Sequence, residues 1–312
     1  MRVAIQMDPV ENINIDTDTT FALGLEAQRR GYQLYYYTPR QLQFMDGLIY
    51  AYGHRLSLKR QKGAHADLGL REKLDLRKFD VVLIRQDPPF DMAYITNTHI
   101  LEMLPASVLV INRARSVRNA PEKIFLLQFP NLIPPTLISS DLQEISEFRK
   151  KHQDIIVKPL YGNGGYGVFH LKPGDENLGA LFEVHIRHST EPLIIQQYIP
   201  EVRYGDKRII LIDGDPVGAV NRIPALGESR ANLHVGGLAA KTDLTVRDIE
   251  ICKQIGPVLK EQGIMLAGID VIGNYLTEIN VTSPTGFQQI NKLNNTILEK
   301  TFWDKVENLK KL

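Results

Sequence analysis

Near its C-terminal end the chain reads Ala267-Gly-Ile-Asp270-Val-Ile-Gly-Asn-Tyr-Leu-Thr-Glu278-Ile-Asn280-Val-Thr-Ser-Pro-Thr-Gly286, a stretch whose oxygens could hold a cation against a phosphate. Apolar, largely β-branched residues flank Gly273-Asn274, the signature of a tight hairpin turn. Glu278 and Asn280 lie two apart in the second strand and leave the same face. The turn decides what they meet. A two-residue turn pairs Asp270 with Thr277 and sends Glu278 to the opposite face, whereas a three-residue loop, Gly273-Asn274-Tyr275, sets Asp270 directly opposite Glu278. With the longer loop, two carboxylates and an amide oxygen converge on one side of a sheet, and Ile269, Ile279 and Val281 occupy the other. Hard oxygen donors without His or Cys suit Mg²⁺, which binds through one or two carboxylates and the oxygens of its substrate. An acidic pair on an isolated strand is more often simply solvated. The rest of the chain carries the weight.

A second chemical stretch precedes it. Ile155-Ile-Val-Lys158-Pro is a strand, Gly162-Asn-Gly164-Gly165-Tyr-Gly167 a glycine loop, and Val168–Leu171 a second strand. The loop matches G-x-G-x-x-G, but a dinucleotide site needs a helix after it and here a strand follows. Glycines between two antiparallel strands instead form a flap whose backbone N–H groups can cover nucleotide phosphates. Neither a G-x-x-x-x-G-K-[ST] P-loop nor the H-R-D and D-F-G strings of kinases occur. Lys158, among Ile156, Val157 and Pro159, is poorly placed unless an anion meets it. Lys123 opens a predicted helix over 121–129 and is less telling by itself. Gln196-Gln197-Tyr198-Ile199 ends an apolar strand as a hinge whose backbone can read an adenine edge. Asp206-Lys207-Arg208 starts another strand, where Arg208 can neutralise a transferring phosphoryl group.

The elements that must position these groups follow from periodicity. Strands over Arg2–Gln6, Tyr32–Tyr37, Asp80–Arg85 and Val108–Ile111 alternate with helices over about 19–30 and 92–104, which implies a doubly wound parallel sheet. Ligands of such sheets collect outside the carboxyl ends of the strands, here Asp8-Pro9, the polar stretch from Asn12 to Thr20, Arg85-Gln-Asp87 and Asn112. Residues 40–78 are basic and irregular, and read as an exposed excursion or a further hairpin without chemistry. A further helix is expected from Asp141 to about Lys151.

Composition narrows the class. In 312 residues, 43% are apolar and 23% charged, ordinary for a globular chain long enough for two domains. A net charge of +1 gives no electrostatic reason to expect nucleic acid or a membrane surface as partner. The N-terminus lacks the pattern of a signal peptide, and no window approaches a membrane span, so a cytoplasmic protein is expected. Cys252 is the only cysteine, and with Ile249, Ile255 and Leu259 it shares helical spacing, which predicts packing and not nucleophilic work.

Taken together, Met7-Asp8-Pro9 with Asn12-Ile-Asn14, Arg85-Gln-Asp87-Pro-Pro-Phe-Asp91, Ile156-Val-Lys158-Pro with its glycine flap, and Leu276-Thr-Glu278-Ile-Asn280-Val-Thr-Ser-Pro-Thr285 resemble the bacterial glutathione synthetases of the ATP-grasp superfamily. The resemblance runs from about residue 3 to 308. It implies an α/β fold with a substrate domain over 1–120 and an ATP-grasp domain over 121–312, its lid at about 123–199 and its catalytic half at 200–312. It implies ATP-dependent ligation of γ-glutamylcysteine to glycine through an acyl phosphate, with two Mg²⁺ ions, Mn²⁺ as a possible substitute, and a homotetramer. By the same resemblance Lys123, Lys158, Gly162, Gly164, Gly165, Asp206 and residues 196–199 hold ATP. Asp270, Glu278 and Asn280 hold the metals, and Arg208, Arg222 and Arg230 serve catalysis. Asn14, Arg85, Asp87, Asn232, Ser283 and Thr285 hold substrate. Loops 161–168 and 226–237 are the expected lids that keep the acyl phosphate from water.

The chain departs from the family pattern in places. Phe287-Gln288-Gln289 stands where a basic residue is expected, and the 226–237 loop carries Ala231 and His234. Another ATP-grasp ligase, of the D-alanine–D-alanine kind, would share residues 123–285 but not Asp87-Pro-Pro-Phe-Asp91. A noncatalytic nucleotide-binding module of the synapsin kind would tolerate loss of metal ligands or phosphate lysines, all of which are present.

Overall fold

The computed structural model describes residues 1–225 and 236–311. Its N-terminal part is the expected wound sheet. β1 (Arg2–Gln6) lies parallel between β2 (Gln33–Tyr37) and β6 (Val81–Ile84), and β7 (Leu109–Ile111) runs parallel to β6. α1 (Thr19–Arg29) joins β1 to β2, with the Asp18 carboxylate accepting from the Phe21 N–H at its start and Gly31, at φ 78, just beyond its end. α2 (Met92–Glu102), capped by Asp91, and the short α3 (Ala114–Asn119) follow β6 and β7.

The stretch 40–78 takes the hairpin alternative, and it joins the core sheet instead of standing out as an exposed excursion. β3 (Leu42–Met45), β4 (Leu48–Leu58) and β5 (Ala66–Asp75) extend the sheet antiparallel beyond β2. Ile49, Ala51, Leu56 and Leu58 are buried, so β4 belongs to the core. The basic residues that masked it sit mostly on the outer strand and the tip, where Lys73 and Arg71 lie over the rings of Tyr50 and Tyr52 at 3.8 and 4.9 Å.

From Pro121 the expected helix over 121–129 is replaced by turns and a 3₁₀ stretch, Phe125–Gln128. Phe129 precedes Pro130, which disfavours helical backbone, and Phe125, Leu126 and Phe129 all turn into one core. A four-stranded antiparallel sheet comes next. It orders β10 (Phe169–Leu171), β9 (Ile155–Pro159), β11 (Leu193–Gln197) and β8 (Thr136–Ser139), backed by α4 (Leu142–His152) and α5 (Leu178–His188).

The last sheet orders β14 (Leu238–Lys241), β13 (Asp215–Ile223), β12 (Asp206–Ile212), β15 (Leu266–Ile272) and β16 (Tyr275–Asn280). α6 (Val246–Glu261) covers one face with Ile251, Cys252, Ile255 and Leu259. Ile249 points outward, since the buried stripe runs through 251, 252, 255 and 259 instead. Burial pushes the Cys252 thiol up to about 12, in keeping with a packing role. α7 (Phe287–Asn294) and α8 (Leu298–Lys311) join this sheet to the first part of the chain. There Trp303 Nε1 donates to the Leu23 carbonyl at 2.8 Å, and Arg30 pairs with Asp304 and Glu307 at 2.7 Å each.

Candidate active site

Along β12, β13, β15 and β16 alternate residues share a face, and on one face these are Asp206, Arg208, Arg222, Asp270, Glu278 and Asn280. Asp270 does stand opposite Glu278, by a different route from the one expected. The turn is the two-residue Gly273-Asn274, with Ile272 paired to Tyr275. Gly273 at φ 57 suits a tight turn with left-handed backbone at its first central position. Thr277 is then an extra residue in β16, a bulge that shifts the register and restores the Asp270–Glu278 pair. Its hydroxyl donates to the Asp270 carbonyl at 3.1 Å.

Two guanidinium groups grip Asp270. Arg208 Nε and Nη2 donate to its two oxygens at 2.5 and 3.0 Å, and Arg222 Nη2 approaches Oδ2 at 2.9 Å. Burial alone would raise this carboxyl, but the two arginine charges outweigh it and hold Asp270 well below the usual carboxylate range. Asp206 shares Arg222 at 2.5 Å, yet burial and the repulsion of Asp270 and Glu278 push it up to about 7. Among the described residues its buried Oδ1 has no hydrogen-bond partner. Gly268 makes the grip possible, because a Cβ there would stand 3.1 Å from Arg208 Cδ and 3.2 Å from Pro284 Cβ.

A cleft of about 850 Å³, open mouth included, separates this face from the β8–β11 sheet. Lys123, Lys158, Gly162, Gly165, Gln196 to Ile199, Asp206, Asp270 and Glu278 line it. Lys158 Nζ donates to Gln196 Oε1 at 2.9 Å, and Gln196 in turn donates to Thr136 Oγ1 at 3.1 Å. Burial lowers the Lys158 pKa from its ordinary value, and the negative charge of Glu278 opposes that shift. Lys123 donates to the Gly162 carbonyl at the root of the glycine loop and stands 3.9 Å from Glu278. The loop takes left-handed backbone at Gly164, Gly165 and Gly167, a conformation that favours glycine. The Gln197 and Tyr198 N–H groups already donate to the Pro135 and Asp154 carbonyls, so the hinge is fixed before any ligand arrives. His170 stacks on Tyr198 at 3.9 Å and bonds Asp154 Oδ1 at 2.6 Å, support that sequence reasoning missed because the groups lie far apart in the chain.

On the other side of Glu278 a second cavity opens between the last sheet and the carboxyl ends of the parallel strands. Asp8, Asn14, Asp87, Gly164, Ser283 and Thr285 line it, with Arg208, Arg222, Glu278 and Asn280 on its wall. Among the described residues predicted to hold substrate, Arg85 is the exception. It is 5% exposed, donates from Nε to Thr20 Oγ1 at 2.9 Å and from Nη2 to the Pro284 carbonyl at 3.0 Å, and so braces the cavity from behind. Glu122 lines the cavity and went unnoticed in the sequence beside Lys123. Burial and the nearby Glu278 charge push it up to about 7. Gln288, where a base was expected, donates to the Ile15 and Asp18 carbonyls at 2.9 and 2.6 Å. Arg230, Asn232, Ala231 and His234 lie outside the described residues.

Two chambers therefore meet at one charged wall, lysine-lined on one side and carboxylate- and amide-lined on the other. The model of the prokaryotic glutathione synthetase N-terminal domain matches residues 1–118, and that of the same family's ATP-grasp domain matches residues 122–295. The chain belongs to the prokaryotic glutathione synthetase family. A glutathione synthetase of Mesorhizobium japonicum is 54% identical over 311 residues, covering 100% of this chain and 99% of the relative. One from Escherichia coli O6:H1 is 42% identical over 292 residues, covering 93% and 92%. Among solved structures, the macrocyclase MdnC of Microcystis aeruginosa MRC, bound to its precursor peptide, superposes with a TM-score of 0.66 at 17% identity over 99% of this chain and 100% of that one. D-cycloserine synthetase DcsG gives 0.65 at 14% identity over 98% and 100%. These distant likenesses show the fold. As a member of the family, the chain is an ATP-binding ligase of glutathione biosynthesis with an ATP-grasp fold. Among the described residues no helix is long and apolar enough to cross a membrane.

Proposed function

We propose that this chain joins γ-glutamylcysteine to glycine, with ATP converted to ADP and phosphate through an acyl phosphate. The observation that carries the reading is the position of Glu278, which lines both the lysine-bearing cleft and the cavity bounded by Asp8, Asn14 and Asp87. A phosphoryl group leaving the first chamber meets a carboxylate in the second at that wall. A carboxylate is a poor electrophile, and its acyl phosphate carries a good leaving group. Lys123 and Lys158 neutralise the phosphates, and Arg208 with Arg222 faces the charge that spreads during transfer. Glycine's amine then attacks, and no enzyme nucleophile is needed. The N-terminal part, to about residue 120, supplies the substrate shelf; residues 123–199 form the ATP lid and 200–312 the catalytic half.

The donor set fits Mg²⁺ better than a soft metal. Among the described residues no group of three His, Cys, Asp or Glu side chains could hold a metal by itself, and Mg²⁺ takes part of its shell from the oxygens of its substrate. Glu278 and Asn280 face the cavity, and Asp270 is shared with its two arginines. When bound, two Mg²⁺ ions, or Mn²⁺ in their place, would supply charge neutralisation at the phosphates. A cytoplasmic homotetramer is the assembly this family reading carries. ADP release is measured with MgATP, glycine and γ-glutamylcysteine, each omitted in turn. Release that requires both amino-acid substrates, with glutathione as product, is expected, and turnover only with another carboxylate and amine would move the chain to a different ATP-grasp ligase.

A further inference from the structure

The Asp87–Asp91 segment does more than line the substrate cavity. Phe90, within it, stacks on Tyr161 with ring centroids 6.4 Å apart and planes 22° from parallel. Tyr161 immediately precedes Gly162, whose carbonyl accepts from Lys123, so the root of the glycine loop is tied on one side to a phosphate lysine and on the other to the shelf. Phe90 also packs at 5.2 Å against Tyr94, which is 2% exposed in the first turn of α2. Three rings thus run from the N-terminal core to the loop that covers the nucleotide cleft. Around the contact lies a small space lined by Pro88, Pro121, Glu122, Leu160, Asn163 and Thr282, residues of the shelf, the loop and the catalytic sheet. Both partners are half-buried, so the contact can tighten or open without unfolding either part.

We infer that Phe90 and Tyr161 are positioning residues that couple occupancy of the shelf to closure of the glycine loop, so that γ-glutamylcysteine tightens ATP binding and ATP tightens dipeptide binding. This rests on the proposed substrate assignment. The physical ground is that a ligand seated against Asp87 immobilises the segment carrying Phe90, and an immobilised Phe90 gives Tyr161 a fixed surface to stack on. An aromatic pair of this geometry stabilises by an amount that corresponds to about three- to tenfold in an equilibrium constant. Linkage requires the same factor in both directions.

The test measures binding of a nonhydrolysable ATP analogue by calorimetry, with and without saturating γ-glutamylcysteine, in the full-length protein. Wild type is expected to bind the analogue about three- to tenfold more tightly with the dipeptide present. Phe90→Ala, Tyr161→Ala and the double variant are each expected to bring that ratio close to one, while Tyr161→Phe, which keeps the ring, retains it. The melting temperature of each variant confirms that the fold survives. An unchanged ratio in both alanine variants, or no tightening in wild type, overturns the coupling. Glutathione formation by wild type is measured in parallel: its presence with a flat ratio overturns the coupling alone, and its absence overturns the substrate assignment and the coupling with it.

Discussion

Asp270 and Glu278 face one another across β15 and β16 because Thr277 is bulged out of the second strand. Were Thr277 taken into a regular ladder, the two-residue turn would pair it with Asp270 and carry Glu278 to the α6 side of the sheet. A variant lacking Thr277 runs from Leu276 straight to Glu278, which keeps Glu278 opposite Asp270 in a regular ladder, so its steady-state ADP release should persist. Glu278→Gln should instead lower steady-state ADP release by at least about 100-fold, with circular dichroism and melting temperature unchanged, and should raise the Mg²⁺ concentration needed for half-maximal rate. Loss of turnover in the deletion variant, with its melting temperature unchanged, would show that the bulge itself and not the pairing alone sets the site.

Gly268 permits the arginine grip on the neighbouring position. A methyl group there meets Arg208 Cδ at 3.1 Å and Pro284 Cβ at 3.2 Å, and Arg208 is held from its far side by Asp270. Gly268→Ala is expected to displace the guanidinium by a few tenths of an ångström and reduce kcat by about tenfold, with KM for ATP little changed. Stopped-flow measurement of the phosphoryl-transfer burst checks it. An effect confined to KM would place Arg208 in ground-state binding instead.

Much of this was legible in the chain, because the strand alternation around Lys158 and Glu278 is local and the chemistry-bearing strings are short. The parallel pairings of β1 with β2 and of β6 with β7 followed from strands joined through helices. Sequence reasoning failed where a local signal competed with a distant one. The Gly273-Asn274 pair correctly signals a tight turn, but the extra residue that restores the register lies three positions beyond Asn274, and its cause, Thr277 held against Asp270, is visible only in pairing. The β3–β5 extension was hidden because its outer strand is almost wholly exposed and charged, so alternation is lost where β5 has a neighbour on one edge only. Helical spacing around Pro121 was overridden by three aromatic and aliphatic side chains that reach the same core from a 3₁₀ turn. Arg85 sits in a string that reads as a binding motif, and nothing in that string tells that its guanidinium turns inward.

That inward turn changes what Arg85 should do on substitution. Its side chain links Thr20 to the Pro284 carbonyl, and its own carbonyl accepts from Ser283 Oγ at 3.2 Å, so one residue ties the shelf to the loop carrying Ser283 and Thr285. Arg85→Ala should lower folding stability by about 3 kcal/mol, since two charged hydrogen bonds and buried packing are lost together. It should also raise KM for γ-glutamylcysteine more than KM for ATP, because the loop it braces borders the second cavity. Urea unfolding and initial-rate kinetics check the two halves separately. Equal increases in both KM values would remove Arg85 from any specific role at the shelf.

Lys158 supplies a pH dependence with a definite sign. Its pKa is lowered from 10.5 in the folded chain, first by burial, with Glu278 opposing and Lys123 adding to the shift. The unfolded chain therefore binds more protons between the folded value and 10.5, so the ligand-free protein gains stability as pH rises through that window. Below the folded pKa the penalty of burying the charge is present in full. A nucleotide phosphate beside Lys158 reverses the balance by favouring the ammonium, so ATP binding takes up a proton within the window, and KM for ATP rises as pH climbs past the folded pKa. Calorimetry in buffers of different ionisation enthalpy reads the proton uptake directly. Lys158→Met should remove it, leave the ligand-free melting temperature equal to or above that of wild type at neutral pH, and weaken ATP binding by about 10- to 100-fold. A methionine variant that melts earlier and still takes up the proton would mean that another group, with Lys123 the nearest candidate, carries the phosphate-linked charge.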